Sequence, residues 1–169
     1  MFFSGFALQD EASFFLPYLK TGSYNVAGFS YGATKAFEAV QSTPSRIDLL
    51  QLFSPAFFQE ADERYIRIQL RGYQKNAEAY EEMFMQNIFK PHVQQKVTKA
   101  KHTLEDLQRL LKYRWSPDTL QALCDRGVKI EVYLGSEDQI TDVQAAYAFF
   151  KPYATVTLIK GANHFLLGA

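Results

Sequence analysis

The sequence predicts an α/β fold of about five mostly parallel strands with an inserted block of helices, and three observations predict it. Short apolar or alternating runs recur along the chain, with helix-compatible stretches between them. One of them, at 24–27, runs into Gly28-Phe29-Ser30-Tyr31-Gly32 and straight on into a helical pattern. A long stretch, 59–123, is charged and helix-permissive and holds no convincing strand. Strands that alternate with helices imply a mostly parallel sheet. The block at 59–123 interrupts that alternation and reads as a lid set between two strands of one domain spanning 1–169.

Taken in order, Phe2-Phe3 is a very short strand running into a Gly turn. Asp10 is placed to cap a helix over 11–20, which Pro17 should kink or end early. Residues 24–27 form the next strand and 33–41 the helix after it, stopped near Pro44. Residues 47–53 read as a strand closed by Ser54-Pro55. Within the lid, Gly72, Pro91 and Pro117 are the expected breaks. Residues 128–134 alternate as a strand, 143–150 are helical, and 155–159 form the last strand.

The charge balance is 18 Lys/Arg against 18 Asp/Glu, which gives no global case for nucleic acid. Cys124 is the one cysteine, so an internal disulfide is ruled out, as suits a reducing compartment. The N-terminus lacks the basic region of a signal peptide, and no apolar run approaches the roughly 20 residues of a membrane helix. The expectation is a cytoplasmic protein that contacts no membrane.

Gly28-Phe29-Ser30-Tyr31-Gly32 matches G-x-S-x-G, and chemistry explains the pattern. A nucleophilic serine at a sharp strand-to-helix turn exposes its hydroxyl, and flanking glycines let that turn pack closely. The same residues also suit a plain tight turn. A serine hydroxyl needs a base. His92 and His102 lie among Lys90, Lys96, Lys99 and Lys101 and read as solvated. His164 follows the last strand, where α/β active sites gather. The residue orienting it should follow a strand between serine and histidine. Leu134-Gly135-Ser136-Glu137-Asp138 supplies Asp138, with Glu137 and Asp142 as rivals. The order Ser30, Asp138, His164 is the Ser-Asp-His order of such hydrolases. The oxyanion donors should be the N–H of Tyr31 and one from the turn after the first strand, the N–H of Phe6. The scattered histidines give no metal-ligand spacing, and no cofactor is expected.

These motifs resemble the α/β-hydrolase superfamily in a reduced form. Within it, Ser4-Gly5-Phe6-Ala7-Leu8, the 28–33 block, Leu50-Gln51-Leu52-Phe53-Ser54-Pro55-Ala56-Phe57-Phe58 and Gly161-Ala162-Asn163-His164-Phe165 resemble the pimeloyl-ACP methyl ester esterases of biotin synthesis. The short chain resembles their compact epsilonproteobacterial branch. The resemblance spans the chain, although 59–123 matches only in character. It implies hydrolysis of pimeloyl-ACP methyl ester to pimeloyl-ACP and methanol, with an acyl carrier protein as partner.

Larger α/β hydrolases begin with two further strands and carry another before the nucleophile. Here the interval from Gly5 to Gly28 has room for one helix and no strand. With all crossovers of one hand, the helices fall on one face and leave the other bare. A homodimer contact, a first connection of opposite hand or further C-terminal residues would each cover it.

An acyl carrier protein is acidic, so a basic surface is expected. Residues 60–115 hold 11 Lys/Arg against 8 Asp/Glu, whereas the remainder holds 7 against 10. Arg64, Arg67, Arg71 and Lys75 recur at spacings of 3, 4 and 4, on one helix face. That stripe serves either carrier binding or a solvated lid face. Phe53, Phe57, Phe58, Phe84, Phe89, Tyr113 and Trp115 either line an acyl channel or form core. A general small-ester carboxylesterase or thioesterase with the same three residues is the nearest alternative. A non-catalytic binding module on the same scaffold is the other.

Overall fold

The computed structural model describes residues 1–168. Five strands form one parallel sheet in the order β1 (Phe2–Phe3), β3 (Asn25–Phe29), β4 (Leu49–Phe53), β6 (Lys129–Gly135) and β7 (Thr155–Ile159). Each strand is added beside its predecessor, so none is inserted between two earlier ones. A separate two-residue pair, β2 (Leu8–Gln9) with β5 (Thr98–Lys99), is antiparallel and ties the turn after β1 to the lid segment. The fold class expected from the sequence is the one observed. The last strand and the helix before it lie at the expected residues.

Strand alternation gives the sheet two different faces. Val26, Leu50, Leu52, Ile130, Val132 and Leu134 point to one side. There they pack under α1 (Tyr31–Ser42), α5 (Pro117–Asp125) and α6 (Val143–Phe150). Ser116 caps α5 through Thr119 N–H, and Pro117 sits at its first turn, where a missing N–H is harmless. Leu120 and Leu123 are buried in this layer. The lid expected over 59–123 therefore ends sooner, because 117–123 cover the sheet.

The opposite face is not bare. The first connection steps the same way as the later ones but lies on the other side, so it has the opposite hand. It forms a 3-10 turn, Glu11–Phe15, in place of the expected 11–20 helix. Asp10 there takes a left-handed conformation and makes no cap, and Pro17 stops any longer helix. Phe15 stacks on Phe53 and packs tilted against Phe29, both at 4.8 Å between ring centroids, and Phe165 lies 4.7 Å from Phe29.

Below these rings the face is polar. Gln51 and Glu131 are register partners, and Tyr133 OH donates to Glu131 Oε2 at 2.9 Å. Gln51 Nε2 donates to Glu131 Oε2 and to the Tyr18 carbonyl, while its Oε1 accepts from Lys20 N–H. Lys20 Nζ pairs with Glu131 Oε1 at 2.5 Å. Burial raises the Glu131 carboxyl, but hydrogen bonds from Lys20 and Tyr133 outweigh it and hold the group below its ordinary value. Burial, together with the Glu131 contact, pushes Tyr133 up to about 12.

Between β4 and α5 lie α2 (Glu63–Lys75), α3 (Ala77–Phe89) and α4 (Leu104–Lys112). The expected break at Gly72 falls at Asn76 instead. Asn76 is extended, ends α2 and caps α3 by accepting from Ala79 N–H, whereas one helical glycine costs only about 1 kcal/mol. Leu107, Leu110 and Leu111 of α4 and Ile66 of α2 share an apolar cluster with Phe6, Tyr31 and Phe165. The lid thus packs on the turns at the carboxyl ends of β1, β3 and β7. No helix among the described residues is long and apolar enough to cross a membrane.

Candidate active site

The turn between β3 and α1 carries Ser30 at φ 52°, ψ −116°, a conformation non-glycine residues rarely take. Its N–H donates to Phe53 O at 2.9 Å, and its carbonyl accepts from Ala33 and Ala56 N–H, both at 3.1 Å. Neighbouring backbone therefore over-determines the strained residue. A Cβ on Gly28 would run into the Gly32 carbonyl, and one on Gly32 into the carbonyls of Phe3 and Ser4. Gly28 thus lets the β3–α1 turn close on itself, and Gly32 brings it against the turn after β1.

His164 follows β7, and Asp138 follows β6. Those two loops touch, because a Cβ on Gly135 would overlap the carbonyls of Ala162 and Asn163. The structure brings the three residues together. His164 Nε2 lies 3.0 Å from Ser30 Oγ, and His164 Nδ1 lies 2.6 Å from Asp138 Oδ2. Asp138 Oδ1 accepts from Ile140 N–H at 2.7 Å and Thr141 N–H at 3.2 Å. A carboxylate only accepts, so Nδ1 carries the proton and Nε2 is free to accept from the serine hydroxyl. The rivals lie elsewhere: Glu137 is exposed, and Asp142 caps α6 through Ala145 N–H.

Tyr31 is the first residue of α1, and Phe6 lies in the turn after β1. Neither N–H has a hydrogen-bond partner among the described residues. Both therefore keep a free donor. Ser30 is 3% exposed and His164 0%, so the site is closed.

A cavity of ≈ 200 Å³ lies under the lid, lined by Phe58, Tyr80, Phe84, Leu107, Leu110 and Ile140 among others. Of the aromatics singled out in the sequence, Phe58 and Phe84 line it. Phe53, Phe57, Phe89 and Trp115 are core, and Tyr113 packs against the helical face of the sheet. The cavity stops short of Ser30 but touches Ile140, whose N–H holds Asp138.

Arg64, Arg67, Arg71 and Lys75 are all exposed on α2 and make no ion pair among the described residues. Arg67 and Arg71 join Lys112 along a groove of ≈ 360 Å³ between α2 and α4, with Glu63 its one acid.

His92 and His102 are not the solvated residues expected. His92 Nε2 donates to Gly161 O at 2.7 Å, binding the lid to the His164 loop. The His102 side chain is 8% exposed, 3.1 Å from Glu81 and edge-on to the Phe6 ring at 4.5 Å. Their lysine-rich neighbourhood points outward while the imidazoles point in. Two further residues gave no sequence signal: Asn163, fully buried, and Glu11, 1% exposed beside the Phe6 turn.

No protein-family model matches the chain, and no curated protein sequence does. Many solved structures share its fold. BioG from Haemophilus influenzae superposes with a TM-score of 0.62 at 14% identity, over 97% of this chain and 87% of its own. MenH from S. aureus gives 0.60 at 13%, over 96% and 85%. Naproxen esterase from Bacillus subtilis gives 0.57 at 16%, over 84% of this chain. The chain spans about half the length of that esterase, 53%. It has the α/β-hydrolase fold, in shortened form.

Proposed function

We propose that the protein is a serine carboxylesterase that hydrolyses the methyl ester of pimeloyl-ACP to pimeloyl-ACP and methanol. The observation that carries the esterase reading is the continuous relay from Ser30 through His164 to Asp138, at 3.0 and 2.6 Å. The unpartnered N–H groups of Phe6 and Tyr31 beside it add the place for an oxyanion.

In this mechanism Ser30 Oγ attacks the ester carbonyl while His164 Nε2 takes its proton. Negative charge collects on the carbonyl oxygen and is met by the Phe6 and Tyr31 N–H groups. His164, held as imidazolium by Asp138, protonates the departing methanol. It then activates water to release the acid from Ser30. Because Ser30 and His164 are buried, an ester reaches them only when the lid helices part.

The substrate is supported by the resemblance of the 4–8 and 50–58 blocks, by the cavity under the lid, lined in part by Phe58, Phe84, Leu107 and Leu110, and by the exposed cationic stripe on α2. An acidic carrier protein docked on Arg64, Arg67, Arg71 and Lys75 would have its acyl arm directed toward the lid. The test is hydrolysis of pimeloyl-ACP methyl ester beside a p-nitrophenyl ester of similar length, with Ser30→Ala as control. Strong preference for the carrier-linked ester, abolished in Ser30→Ala, supports the whole reading. Cleavage of the small ester alone leaves a general carboxylesterase, and cleavage of neither sinks the catalytic reading.

A further inference from the structure

Glu11 is an unexpected residue to find buried. A carboxylate taken out of water is costly unless its oxygens are satisfied. Glu11 is 1% exposed at the start of the 3-10 turn. Its Oε1 accepts from Gly5 N–H at 2.6 Å, and its Oε2 is buried with no partner among the described residues. The fold therefore tolerates a half-satisfied buried acid at this one turn. The residue next to Gly5 is Phe6, whose N–H the proposed mechanism uses.

The geometry of Gly5 shows what the acid does. Its N–H is held by Glu11, and its carbonyl accepts from Leu8 N–H at 3.3 Å. In a trans peptide the carbonyl of Gly5 and the N–H of Phe6 point in opposite directions. Fixing both sides of Gly5 therefore fixes where the Phe6 N–H points. Gly5 has no side chain to restrict its own φ and ψ, so the restriction must come from outside. The turn is strained downstream, with Ala7 at φ 60° and Asp10 at φ 62°, and Ala7 O is held by Ala100 N–H.

We propose that Glu11 is a positioning residue for the reaction: its carboxylate locks the Gly5–Phe6 peptide so that the Phe6 N–H faces the oxyanion formed at Ser30. This rests on the esterase reading above. Glu11 touches no reacting atom and acts only through Gly5.

The test separates this role from a purely structural one. Glu11→Gln keeps an acceptor for Gly5 N–H but puts an amide N–H₂ where Oε2 has no partner. It should lower Tm yet keep kcat on a p-nitrophenyl ester within about threefold, since the oxyanion donor stays aimed. Glu11→Leu removes the acceptor. It should lower kcat about 10- to 100-fold at nearly unchanged KM, short of the roughly 10²–10³ of losing a donor outright. Wild-type kcat in Glu11→Leu overturns the proposal, as does loss of kcat in both variants in step with Tm. If Glu11→Leu does not fold, Glu11→Asp decides, because its shorter side chain withdraws the acceptor from Gly5 N–H: lowered kcat at nearly unchanged KM in the folded variant supports the proposal, and wild-type kcat overturns it. Absence of turnover in the wild type sinks the esterase reading and this one together, whereas turnover insensitive to Glu11 sinks this one alone.

Discussion

Asn163 Nδ2 donates to Phe89 O at 2.7 Å, so the residue before His164 is fastened to the last residue of α3. Its Oδ1 accepts from the N–H groups of Phe165 and Leu167. One buried amide thus shapes the loop carrying His164 and joins it to the lid. Asn163→Ala leaves the N–H groups of Phe165 and Leu167 unpaired and the Phe89 carbonyl with only its bond from His92 N–H, and should cost about 2–4 kcal/mol. A thermal melt checks this, at about 2–4 °C per kcal/mol for a chain this size. Activity should fall further than stability explains, because the loop that carries His164 loses its tie to α3.

Asp138→Asn should fold normally and lose about 10⁴ in kcat with little change in KM. The amide can offer its N–H₂ to His164 Nδ1, which reverses the tautomer and removes the acceptor from Nε2. Burst kinetics with a p-nitrophenyl ester measure the acylation step directly.

Gly32→Ala should be worse than its size suggests. The new methyl meets the Phe3 and Ser4 carbonyls, which cannot both yield without separating β1 from the Ser30 turn. A stability loss of about 1–3 kcal/mol is expected from overpacking. Fluorophosphonate labelling of Ser30 should slow sharply at a temperature where the variant is still folded.

The strands were legible because each is a short apolar or alternating run closed by a turn residue. Ser30, Asp138 and His164 were legible because each follows such a run in the order this chemistry requires. The hand of the first connection was not, since nothing in residues 11–20 says which face of the sheet Phe15 will cover. Glu11 reads as one more acid in a polar stretch, and its value lies in a contact with backbone that no side-chain pattern reveals. His102 misleads in the other direction: Lys99 and Lys101 beside it suggest water, but alternate residues face opposite ways.

The Lys20–Glu131–Tyr133 network sets an acid-sensitive term. Glu131 has a carboxyl held below its ordinary value, so its stabilisation is complete above the unfolded value, about 4.3. It is lost as pH falls through the lower folded value. Glu131→Gln should therefore lower Tm at pH 7 and flatten the fall in Tm between pH 5 and 3, roughly the window the shift affects. Tyr133 gives the opposite sign at the alkaline end: stability held below its unfolded value of about 10 is lost as pH rises toward about 12. Tyr133→Phe should remove that loss.

Reversing Arg64, Arg67 and Arg71 to Glu should lower kcat/KM for the carrier-linked ester by about tenfold or more at low salt. A p-nitrophenyl ester should be hydrolysed as before, because the stripe is exposed and its side chains bond none of Ser30, Asp138 and His164. Raising the salt should erode the wild-type preference in the same way, as screened surface charges require. Equal loss on both substrates would place the effect in lid folding instead.

The strand order has a consequence for how the protein comes into being. A sheet in which every strand joins the free edge of the one before can be assembled in the order the ribosome delivers it. Ser30 is delivered early, but His164 comes 134 residues later. At roughly 5–20 residues per second that interval is roughly 7–27 s of synthesis. Over that interval Ser30 lacks the imidazole that lies 3.0 Å from its Oγ in the folded chain. Bringing Ser30, Asp138 and His164 together therefore waits for the His164 loop to dock beside strands that are already paired.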